Sequence, residues 1–164
     1  MNNILMKRVL FLLLLIFCFT YVYGQDERKE LDFIIMIDED IAIGSISQLQ
    51  IKIVSDDKED ILEANYYPGN LSIKQPDYGR LLSAHTKAIF LKFAYSVHDD
   101  KNQEIYHYEI ELRKPWLEDY FNVLRIYNLN KKKYGKLFAS VSKGRKYVYE
   151  LDSPSHTFHL IRSK

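Results

Sequence analysis

Three features of the 164-residue chain predict an all-β fold: a two-sheet, immunoglobulin-like β-sandwich with one short helix. Short apolar runs alternate with polar turn clusters. Within several runs the apolar residues fall at every second position, the period of a strand with one buried face. Other runs are apolar on both faces, so a second layer is needed to cover them. A small barrel is the second architecture that meets the same demand. The disulfide and tryptophan signature of true immunoglobulin domains is missing.

The elements follow in order. Leu31 to Ile37 is rich in β-formers and stops at Asp38-Glu39-Asp40. Leu49 to Ile53 alternates cleanly, and Asp56 to Asp60 is a charged turn. Ile61 to Tyr67 reads as a strand ended by Pro68-Gly69-Asn70, followed by the brief run Leu71 to Ile73. Gln75 to Ser83 is the predicted helix. Pro76 suits its first turn because the missing N–H has no partner there anyway, and Asp77 favours the positive end of the helix dipole. Ala88 to Val97 and Glu104 to Leu112 are the strongest strands, joined by a hairpin loop over His98 to Gln103. Pro115 to Tyr120 turns the chain, and Phe121 to Leu129 is a strand closed by a lysine-rich turn. Leu137 to Val141, Lys146 to Leu151 and Thr157 to Arg162 complete the set, with Gly144 and Pro154 between them.

Ahead of this domain stand Lys7 and Arg8, the apolar run Val9 to Phe19, and Val22-Tyr23-Gly24 before a charged stretch. A bilayer core needs about 20 apolar residues in a helix. The run is shorter than that and matches the apolar region of a secretory signal. The reading is therefore a cleaved signal peptide at 1–24 and a single domain at 25–164, exported to the periplasm or beyond, with no transmembrane span after processing. A lipoprotein anchored through Cys18 is the alternative, although Phe17 is bulkier than a lipidation site prefers. Cys18 is the chain's one cysteine, so removal of the leader leaves no thiol for disulfides, catalysis or metal binding.

The lean of the composition to Ile, Lys, Asn, Tyr and Phe, taken with the Gly24-Gln25 junction, resembles that of small exported proteins of the Bacteroidota. The resemblance implies a Gram-negative envelope and nothing about activity.

Net charge is +1, but the charges are segregated. Residues 26–63 carry twelve acids against four bases, while 130–149 carry Lys131, Lys132, Lys133, Lys136, Lys143, Arg145 and Lys146 with no acid. A basic stretch interleaved with tyrosines would suit nucleic acid in another compartment. With an export signal, nucleic acid is set aside, and the partners become an envelope protein, an anionic glycan or a lipid surface, drawn by Coulomb attraction. The plain alternative is that lysines decorate turns and edge strands and so discourage sheet-to-sheet aggregation. Trp116 and Tyr120 could form a sugar-stacking pair; otherwise Trp116 is a lid over one end of the core.

Catalytic signals are sparse. No G-x-S-x-G, S-x-x-K, H-E-x-x-H or glycine-rich phosphate loop occurs. His107, Glu109 and Glu111 share one face of a strand and could hold a divalent cation. Their ordinary reading is a wet outer face whose acids pair with lysines next door. His156 and His159 lie three apart, on opposite faces of any strand. The expected function is a non-enzymatic binding or interaction module with a basic face at 130–149 and no cofactor; the alternative is a metal-assisted periplasmic hydrolase using His107, Glu109 and Glu111.

Overall fold

A computed structural model describes residues 27–56, 58–99, 102–141 and 143–162. The proposed leader, Cys18 and the cleavage junction lie outside the described residues. The longest alternation in the sequence builds the longest hairpin. β6 (Thr86–Asp99) and β7 (Asn102–Leu112) pair antiparallel from Ile89↔Leu112 to Asp99↔Asn102. The strands thus run further into the connection than the expected His98–Gln103 loop allowed.

The other strands are β1 (Arg28–Ile37), β2 (Asp40–Ile41), β3 (Ile46–Ser55), β4 (Glu59–Tyr67), β5 (Gly69–Lys74), β8 (Asn122–Asn128) and β9 (Tyr147–Asp152). They follow one hydrogen-bonded path, β7-β6-β3-β4-β5-β1-β8-β9, with β2 folded back on β1. All neighbours are antiparallel except β1 and β8, which run parallel from Phe33↔Asn122 to Ile37↔Ile126. The path curls until β9 lies within hydrogen-bond reach of β7, so the sheet is nearly closed and barrel-like. The mostly-β class stands, but the expected pair of separate sheets is replaced by one curled sheet.

The reason is visible in the burial pattern. The inner face of the curl is lined by Phe33, Ile35, Ile51, Leu71, Ile73, Ile89, Leu91, Ile110 and Leu124, all essentially sealed from solvent. Each such side chain contributes about 1.5–3 kcal/mol of burial. The strand that is apolar on both faces, β8, does not need a second sheet. Its outer face is covered by Tyr134 and Phe138, which form a separate cluster with Tyr127 and Val148.

Among the described residues three helices accompany the sheet: α1 (Gln75–Leu82), α2 (Lys114–Glu118) and α3 (Lys132–Leu137). The first matches the expected helix, with Pro76 in its first turn and Leu81 buried. The third corrects the expected strand at Leu137 to Val141. Tyr134, Leu137, Phe138 and Val141 recur at i, i+3, i+4 and i+7, a helical face that packs on β8. Gly135 fits there because a Cβ would come within 2.9 Å of the Leu129 carbonyl oxygen. Thr157 to Arg162 is likewise not a strand; only Phe158 pairs, with Leu151. Among the described residues no helix is long and apolar enough to cross a membrane.

Candidate functional site

The two ends of the sheet meet without a backbone ladder. In its place, side chains of β9 reach across to the edge of β7. The Tyr147 hydroxyl accepts a hydrogen bond from the Glu109 N–H (2.8 Å) and donates one to the Glu109 carbonyl (2.8 Å). The Tyr149 hydroxyl donates to the Glu111 carbonyl at 3.4 Å. Burial pushes both phenols above their ordinary pKa. These tyrosines close the lower part of the seam.

Above Tyr147 the seam opens into a cleft of about 590 Å³, lined by Ile105–Tyr108 of β7, Asn128 at the end of β8 with Leu129 and Asn130 after it, and Arg145 and Lys146 ahead of Tyr147 at the start of β9. Its aromatic floor is ordered. Tyr106 stacks on Tyr108 with ring centres 6.4 Å apart, and Tyr147 meets Tyr108 edge-on at 5.0 Å. A shallower hollow of about 390 Å³ continues beside it, sharing His107, Tyr108 and Tyr147 and adding Gln48, Gln50, Lys92 and Glu109.

The floor is fixed from beneath by a polar chain. Tyr108 Oη donates to Asn128 Oδ1 (2.9 Å), and Asn128 Nδ2 donates to Asp38 Oδ2 (2.8 Å). The Asn128 backbone N–H donates to Asp38 Oδ1 (2.8 Å), and Lys131 Nζ stands 2.9 Å from Asp38 Oδ2. The Asp38 side chain is only 6% exposed. It sits in the turn between β1 and β2, where Asp38 (φ 54°) and Glu39 (φ 77°) both adopt left-handed backbone. A two-residue hairpin of this twist requires that conformation, which Asp tolerates better than most residues. Burial drives the Tyr108 phenol strongly upward, and the Asp38 hydrogen bond raises Lys131.

Two lysines of the basic segment are taken up by ion pairs. Lys131 pairs with Asp38 and Lys133 with Glu39 (2.6 Å), bringing the acidic and basic stretches together. The hydrogen bond from Lys133 also pulls the Glu39 carboxyl below its ordinary value. Lys132, Lys136, Lys143, Arg145 and Lys146 are exposed and make no ion pair among the described residues. Of these, Arg145 and Lys146 line the cleft. The lining contains no Asp or Glu; Glu104 at the rim is held by the Tyr106 hydroxyl.

Trp116 and Tyr120 do not form a platform. Trp116 is 2% exposed, packed against Phe158 and under Arg113, whereas Tyr120 is 86% exposed. His107, Glu109 and Glu111 do share the outer face of β7. Glu109, however, is engaged by Lys52 (3.0 Å) and Lys92 (3.7 Å), and the Lys52 hydrogen bond lowers its pKa. Among the described residues no three His, Cys, Asp or Glu gather as a metal-binding group. His156 pairs with Asp119 (3.1 Å) and His159 with Asp152, so the two histidines serve different carboxylates.

Sequence reasoning did not single out Tyr106, Tyr108, Asn128, Asp38, Tyr147 or Tyr149 as a unit. The available signal was a pair of Tyr-x-Tyr repeats, 106/108 and 147/149, each placing two phenols on one strand face. Comparison with known proteins gives no match to a family model, a curated protein or a solved structure.

Proposed function

We propose that the protein is exported, loses residues 1–24, and works in the cell envelope as a non-enzymatic binding module whose site is the seam cleft. The ligand is anionic. One observation carries this reading: the cleft offers two cations with no ion-pair partner among the described residues, Arg145 and Lys146, above ordered tyrosine rings, and no carboxylate in its lining. A groove of one charge sign attracts the opposite charge, and its pull weakens with ionic strength. Tyrosine faces add stacking area, and the Asn130 amide, which donates one N–H to the Tyr106 hydroxyl (3.3 Å), has a second N–H for a ligand oxygen. Lys132, Lys136 and Lys143 lie outside the lining and serve at most to steer the ligand in.

Retention of the purified protein on immobilised heparin, a general polyanion, tests the reading. Retention at low ionic strength should fall steeply with added salt. It should be lost in the double variant Arg145→Glu/Lys146→Glu and largely kept in Lys132→Glu/Lys136→Glu. No retention at low ionic strength, or equal retention of the two double variants, overturns it.

A further inference from the structure

The cleft is a slot beside a strand edge, and its two walls differ in kind. One wall is β7, the last strand of the sheet path. Within a strand, the N–H and C=O of alternate residues point to the same side. Glu109 directs both groups into the seam, where the Tyr147 hydroxyl takes them, and Glu111 directs its carbonyl to Tyr149. By the same period, His107 and Ile105 present their backbone groups to the seam two and four residues higher, where the cleft is open. The other wall carries Arg145 and Lys146. It is held back from β7 because the Leu129 N–H donates to the Lys146 carbonyl.

From this juxtaposition of an unpaired strand edge with a cationic wall, we infer that the cleft takes an extended acidic peptide of another protein, which adds to the edge of β7 as a further strand. The inference rests on the anion-binding reading above and names the ligand's class. The Tyr147 hydroxyl marks where the added strand would stop, since it already supplies the donor and the acceptor that a strand would offer Glu109. From there upward, a peptide in the slot would pair with His107 and then Ile105, at the spacing of about 6.6–6.8 Å between same-side residues of a strand. Alternate side chains would rest on the tyrosine floor or reach the cations, so acidic residues at every second position match the walls. A glycan could satisfy the cations but has no run of N–H and C=O groups at strand spacing to match the edge.

The test uses an acetylated, amidated hexapeptide of alternating valine and glutamate, followed by amide NMR of the full-length purified protein. The peptide should shift the Ile105 and His107 amides and slow the exchange of the His107 N–H. Two modified peptides, one N-methylated at every valine and the other at every glutamate, each lose one hydrogen-bonding edge. One of the two should bind at least about tenfold more weakly, as the loss of two backbone hydrogen bonds predicts. Equal binding of all three peptides overturns strand addition. If the peptide leaves these amides unmoved while a heparin tetrasaccharide shifts Arg145 and Lys146, strand addition falls and the anion-binding site stands. If neither probe shifts any residue of the cleft, both readings fall.

Discussion

The barrel interior and the layer outside β8 and β9 are both apolar clusters, yet they are held by different means. The interior is fed by every long strand, and its residues are fixed by ladders that continue from β7 round to β9. The outer layer joins Tyr127 and Val148 to Tyr134 and Phe138 from the six-residue α3, with Leu160 of the C-terminal segment packed against it. Beneath it, Glu150 is 1% exposed and accepts hydrogen bonds from Arg162 (3.0 Å), the Leu160 N–H (3.1 Å) and, at 3.3 Å, the Tyr127 hydroxyl. Removing an interior residue therefore weakens the whole sheet. Removing an outer one weakens a patch that can open while the sheet persists.

The largest effect should come from Ile35→Ala, which truncates a fully buried residue of β1 paired with Leu124 of β8. A loss of about 2–5 kcal/mol is expected, read as a lower urea midpoint with unchanged cooperativity. Phe138→Ala removes a larger side chain that is equally sealed. Its expected global cost is nonetheless smaller, about 1–2 kcal/mol, because α3 can detach first. Hydrogen exchange should quicken at 132–141 and 158–162 and stay slow in β1 and β6. If Phe138→Ala costs as much as Ile35→Ala and quickens exchange everywhere, the two clusters are one cooperative unit and the contrast fails.

The same contrast explains what was legible in the sequence. Ladder residues such as Ile89, Leu91 and Phe93 repeat every two positions because a sheet with one buried face demands it, so β6 and β7 could be read directly. Around Phe138 the period is 3.6, but the segment is short, lysine-rich and interrupted by Gly135, so its apolar end resembles a strand. The pattern at Phe158 and Leu160 suggests a strand for a similar reason; their place is set by contacts with Leu151 and Glu150, which no local pattern records. The seam was hidden because it joins strands 38 residues apart through side-chain hydroxyls. The cations of the cleft were legible as charge, but not which two of seven would remain at a cavity after Asp38 and Glu39 had engaged Lys131 and Lys133.

A smaller effect sharpens the boundary of the outer layer. Arg162→Ala removes one of three donors to a buried carboxylate, but the Arg162 side chain is itself 55% exposed. A charge-assisted hydrogen bond of about 1.5–3 kcal/mol is discounted by that screening to about 1 kcal/mol. The loss should appear as faster exchange of the Leu160 amide rather than as a broad fall in protection. A loss above about 3 kcal/mol, in the range expected for breaking a fully buried pair, would make the C-terminal segment part of the main core.

Tyr147→Phe gives a change as small as Arg162→Ala and bears on the seam, where tyrosine side chains rather than a ladder join the edges. The ring stays and only the hydroxyl goes, so packing against Tyr108 survives while the Glu109 N–H and carbonyl lose their shared partner. Both groups lie near solvent, so water replaces much of what is lost, and about 1 kcal/mol is expected at neutral pH. The direction at high pH is also fixed. Burial raises the Tyr147 pKa, so the folded state favours the neutral phenol. That contribution is fully present below the ordinary tyrosine value of about 10 and is lost as pH rises through the folded value. The wild type should therefore lose more stability than Tyr147→Phe on going from neutral to strongly alkaline pH, and the two melting curves should converge there. If they stay parallel, the phenol is not shielded at the seam, and the Tyr149 hydroxyl becomes the better candidate for closing it.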